Sequence, residues 1–195
     1  MTYLLSFLPW IAVSALTGTL DIRYALLTGL VLAVAVTVRQ RRAGRAWDAL
    51  VIEASAAVYF AGCTAAAFAA PDSAFVTRYA SAGASLWLAA VAWGSLAVGR
   101  PFTLGIARAS VPAEHWDNPL FRRVNRVITA VWATAFTVGG AGTVWLRQAR
   151  PEDGTARALL TVGCFLVPIV FTMRYPAVAR ARFVAAAAAR GESTE

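Results

Sequence analysis

Residues 127–146, VITAVWATAFTVGGAGTVWL, run for twenty positions without a charge, and comparable stretches recur along the chain. A run of about 20 apolar residues at 1.5 Å rise covers the ~30 Å hydrocarbon core of a bilayer when helical. Backbone amides in hydrocarbon find no water, so only helices and closed barrels can span it. The runs are continuously apolar rather than alternating, which selects helices.

This criterion predicts candidate spans at roughly 2–20, 24–38, 49–70, 80–98, 127–146 and 158–173. The second is short, about 22 Å at helical rise, so the expected fold is an all-α polytopic transmembrane bundle of five or six spans with a short interfacial segment. Residues 1–175 read as a single transmembrane domain and 176–195 as a cytoplasmic amphipathic, polar tail. No basic residue precedes the first apolar run, which is therefore read as a retained span and not a cleaved leader.

Composition agrees, with 59% hydrophobic and 14% charged residues where soluble domains carry about a quarter charged. The 18 basic residues are all arginine, and the net charge is +8. On a soluble face such a charge would invoke nucleic acid. Here the arginines sit between apolar runs, which points to membrane topology and anionic lipid headgroups instead. With six spans, thirteen arginines fall on one side and Arg23, Arg78, Arg147, Arg150 and Arg157 on the other. The positive-inside rule then places both termini in the cytoplasm.

Chemistry-bearing residues are few. Glu53 lies in the third run, six residues beyond Trp47, or about 9 Å of helical rise. It reads either as an intramembrane ionisable site for a proton or cation or as a structural carboxylate near the interface. The polar segment 99–126 brings Arg100, Arg108, Arg122, Arg123 and Arg126 together with Trp116. It reads as a collar contacting anionic lipid or a partner, or as topogenic charge alone. Its apolar Phe102, Leu104 and Ile106 fit a short amphipathic element.

His115 stands beside Glu114 and Asp117, but a loop neighbour is not a triad and GxSxG is absent. Cys63 and Cys164 fall in apolar runs without a CxxC pattern. No catalytic, cofactor-binding or metal residue is expected. Asn125, before the fifth run, is a candidate cap or interhelical donor. GGAG at 139–142 marks a close helix approach.

Several stretches also resemble the bacterial intracellular septation protein A family. They are FLP at Phe7 to Pro9, DIRYA at Asp21 to Ala25, GRPFTLGIARASVP from Gly99, and LFRRVNRVITAVWATAF from Leu120. Their order and spacing follow the family across most of the chain. EHWDNPL looks like an insertion, and GGAG stands where the family has an asparagine. The resemblance implies a polytopic inner-membrane protein linked to septation and envelope synthesis, with division or envelope-synthesis membrane proteins as partners; a homo-oligomer belongs to a transporter alternative. It supplies no catalytic residue. The expectation is therefore a non-enzymatic protein acting through membrane-embedded contacts, with a small transporter or channel using Glu53 as the alternative.

Overall fold

The computed structural model describes residues 2–189 except 18, 72 and 110, with the side chains of 2–6 and 187 also left aside. Among the described residues the chain is helical throughout, with no strand. Seven α-helices follow in order: α1 (Thr2–Leu16), α2 (Ile22–Arg42), α3 (Val51–Ala69), α4 (Ala74–Ala97), α5 (Phe102–Arg108), α6 (Pro119–Ala149) and α7 (Gly154–Ala189). Single 3-10 turns at Trp47–Leu50 and Ala113–His115 precede α3 and α6.

Five helices, α2, α3, α4, α6 and α7, are long and apolar enough to cross a membrane. The run expected to be short is a full 21-residue helix. It gains length at both ends. Asp21 caps the start by accepting from the Arg23 amide at 2.9 Å, and Arg39, Arg41 and Arg42 extend the last turn, where cations favour the helix dipole. The short helix is instead α1, with 15 residues and about 22 Å. Polar Thr17 and Thr19 follow it and bond back to Ser14 and Leu16 carbonyls.

Helix starts and stops follow local chemistry. Asn118 caps α6, its side chain accepting from the Leu120 amide at 2.8 Å, with Pro119 behind it. The helix thus begins eight residues ahead of the expected span, and Arg122, Arg123 and Arg126 belong to its first turns. α4 ends at Gly99, whose φ of 71° suits the left-handed stop, with Arg100 N–H reaching the Ser95 carbonyl. α7 continues as helix through Pro168 and Pro176, a feature membrane helices tolerate.

Neighbouring helices in sequence pack as hairpins: α1 on α2, α2 on α3, α3 on α4, and α6 on both α4 and α7. The buried stripe of α6 runs Val124, Ile128, Trp132, Phe136, Gly140, Thr143, the spacing of one helical face. Phe7 of α1 stacks on Trp132 with centroids 5.1 Å apart, and both meet Phe136 and Phe165. These rings tie α1, α6 and α7 together. Valines, leucines and tryptophans such as Val31, Val58, Trp93, Trp145, Leu166 and Val167 face outward. So much outward apolar surface is what hydrocarbon covers and water does not tolerate.

Candidate functional site

The arginine-rich end of the bundle is where the sequence placed its candidates. Here the C-terminal turns of α2 and α4 meet the start of α3, α5 and the start of α6. Glu53, in the first turn of α3, is fully buried. Its Oε1 accepts from Nε2 of Gln40 on α2 at 2.7 Å, and Gln40 is itself buried. A buried carboxylate needs such donors to offset its desolvation. The pair clamps α2 to α3, and the partner is thirteen residues away, one helix back.

The short α5 is tucked into this end. Phe102, Thr103, Leu104, Gly105 and Ile106 are all buried, so its apolar side chains turn into the protein. Gly105 lies directly on the backbone of Asp48 and Ala49, where a Cβ has no room. On the other side, Thr103 Oγ1 donates to the Asn125 carbonyl at 2.9 Å and stands 2.8 Å from Thr129 Oγ1. Asn125 therefore neither caps α6 nor bonds across helices through its amide. It sits inside α6 and donates from Nδ2 to the Phe121 carbonyl at 2.9 Å, because capping by Asn118 moved the helix start upstream.

The collar arginines divide into two kinds. Arg108 donates to Asp48 Oδ2 at 3.0 Å and lies over the Trp116 ring at 5.1 Å. Trp116 in turn donates to the Val111 carbonyl. These two residues hold the 99–126 segment to the 3-10 turn before α3. Arg100, Arg122, Arg123 and Arg126 are exposed, and Arg122 is 3.6 Å from the solvated Asp117. They form the outward-facing charge. His115 is exposed in its 3-10 turn, and no cluster of three metal-ligating side chains occurs among the described residues.

The GGAG glycines do pack closely, but inward. A Cβ on Gly140 would lie 2.7 Å from the Leu86 side chain of α4, and one on Gly139 3.3 Å from Cys164 of α7. They join helices of this chain to each other.

The sequence reading missed a cavity at the opposite end. About 530 Å³ in volume, it extends between α1, α2, α3, α4, α6 and α7 from a mouth at Asp21, Pro71 and Arg147. Its inner wall carries Trp10, Phe60, Leu88 and Phe165, and Thr77, Ser81 and Ser85 line one side. A Thr-x-x-x-Ser-x-x-x-Ser spacing in a mostly apolar helix was the available signal, since it places three hydroxyls on one face. Between the cavity and Glu53, α3 presents Phe60, Ala56 and Ile52, all buried, with Phe60 against Trp10 at 4.7 Å.

At Asp21 the carboxylate accepts from Arg23 Nε at 3.0 Å and Nη2 at 2.8 Å. Those hydrogen bonds, with the Arg23 amide and its charge, hold the Asp21 carboxyl down to about 2. No family model, curated protein or solved structure matches the chain. The functional reading therefore rests on geometry.

Proposed function

We propose that the chain is a non-enzymatic multi-pass protein of the bacterial inner membrane, acting through contacts with other membrane proteins within the bilayer. The observation that carries this is α7. It packs on α6 and the Phe7 ring, and leaves Leu159, Val162, Leu166, Val167, Val170 and Met173 exposed along its length. Beside it, Ala130, Thr134, Ala135 and Gly163 line a shallow groove between α6 and α7. Small residues of this kind let a further transmembrane helix approach closely, where packing rather than hydrophobicity drives association.

The partner class that the septation resemblance implies, division or envelope-synthesis membrane proteins, belongs to this proposal, as does a second copy of the chain. So do the cytoplasmic termini and the contact of Arg100, Arg122, Arg123 and Arg126 with anionic headgroups. The test is a photo-crosslinking residue at Val167 in intact cells. Discrete protein adducts, weakened by Gly163→Phe, are the expected result. Lipid adducts alone would remove the proposal.

The second reading, transport through Glu53, is favoured by one observation, the full burial of that carboxylate. Its pairing with Gln40 near a helix end supports a clamp more directly. Glu53→Gln separates the two. A clamp keeps partner binding and changes no flux, whereas a carrier loses proton- or cation-coupled flux in proteoliposomes.

A further inference from the structure

The cavity at the opposite end makes a demand that the partner-binding reading does not meet. Trp10 is 5% exposed, lines the cavity, and its indole Nε1 has no hydrogen-bond acceptor among the described residues. A buried donor left this way costs its full desolvation unless something in the cavity accepts from it. Arg147 at the mouth has a buried Nε that is likewise unsatisfied. Arg78 lies beside it, its Nη2 donating to the Arg147 carbonyl at 3.3 Å. Neither guanidinium has a carboxylate partner among the described residues, since the ion pairs lie elsewhere at Arg23, Arg108 and Arg122. Asp21 at the same mouth is already engaged by Arg23.

A surface groove lined by Pro71, Thr77, Arg78, Arg147 and Pro151 shares Pro71, Thr77 and Arg147 with the cavity, which brings Arg78 beside its entrance. Further in come the α4 hydroxyls, and beyond them the apolar wall of Phe60, Leu88 and Phe165. On α7 the lining runs from Thr161 to Phe165, about 6 Å at helical rise. The order from the mouth inward is cation, hydroxyl, apolar.

We propose that this cavity binds a single-chain anionic amphiphile, a lysophospholipid. Its phosphate pairs with Arg78 and Arg147, its glycerol hydroxyl and ester lie along Thr77 and Ser81 with the ester carbonyl oxygen accepting from Trp10 Nε1, and its chain continues to the Phe60, Leu88 and Phe165 wall. The volume lies within the about 300–1,000 Å³ of small-molecule pockets and is too small for both chains of a diacyl lipid. The bidentate geometry of arginine suits the phosphate.

The full chain, in nanodiscs of phosphatidylcholine, is titrated with lysophosphatidic acid brominated on the chain, and tryptophan fluorescence is followed. Bromine quenches an indole it touches. The expected result is saturable quenching that disappears in Trp10→Phe. Affinity falls about tenfold in Arg78→Gln with Arg147→Gln, as loss of charge-assisted hydrogen bonds predicts. Ser81→Leu, which fills the cavity without touching the arginines, blocks binding as an independent check. Brominated lysophosphatidylcholine, lacking net charge, binds weakly. Quenching that never saturates, or that ignores headgroup charge, overturns the proposal. Saturation by brominated diacyl phosphatidylglycerol alone also overturns it, assigning the site to a bilayer lipid.

Discussion

Thr103 shows how much one hydroxyl can hold at this density of packing. Its Oγ1 meets both Asn125 and Thr129, and the residue is fully buried. Thr103→Val keeps the shape and strands those partners, so a loss of about 1–3 kcal/mol is expected, read as a lowered thermal midpoint in micelles, with Thr103→Ser close to wild type. Gly105→Ala acts differently, by pushing a methyl into the Asp48 backbone. Overpacking of this kind costs about 1–3 kcal/mol or more, and α5 should gain hydrogen exchange before the rest of the bundle. Asp21 gives a pH signature. Its folded pKa is lowered from 3.8 to about 2, so its contribution is complete above the unfolded value and vanishes as pH falls through the folded one. The midpoint difference between wild type and Asp21→Asn should be present at neutral pH and close between those two values. Glu53 was legible as the unusual residue of its run. Gln40 as its donor was not, because it belongs to another helix and its polarity reads locally as part of a basic tail.

Among the elements, the lengths of α1 and α2 exchanged the roles expected of them. Hydropathy windows stop at the first charge, whereas a helix continues through arginines at its C-terminus and stops where its caps are. The same reason moved the start of α6 from the charge boundary to Asn118. The close approach at GGAG was legible from residue size, but its direction was not. Because Gly140 meets Leu86 within the bundle, Gly140→Leu should separate α4 from α6 and lower the thermal midpoint sharply. It tests folding, while Gly163→Phe tests partner contact. α1 hangs on its rings. Phe7→Ala removes contacts with Trp132, Phe136 and Phe165, and a loss of about 3 kcal/mol is expected, with α1 amides exchanging first.

For the whole molecule, the question of sidedness has a direct test. Ala113 is exposed in the polar segment before α6, and Ala113→Cys in a Cys63→Ala, Cys164→Ala background reports its side to an impermeant thiol reagent. Protection in intact cells, lifted by lysis, is the expected outcome for a cytoplasmic arginine-rich end. It would also place the mouth of the cavity on the outer side, open to amphiphiles arriving from there. Labelling of intact cells would invert both.

What the chain determined alone is its medium and its helices. The hydrogen-bonding demand of a backbone in hydrocarbon acts locally, on any apolar run long enough, and arginine placement between runs needs no tertiary information. Depth of burial is another kind of quantity. Whether Phe102 faces lipid or protein, which amide reaches Glu53, and whether Thr77, Ser81 and Trp10 border one cavity depend on how five or six similar cylinders are rotated about their axes. In an apolar medium most of these helices are apolar on nearly all sides, so outside α6 no hydrophobic stripe records that rotation in sequence. It was decided by ring contacts, glycine approaches and a few buried hydrogen bonds between residues far apart in the chain.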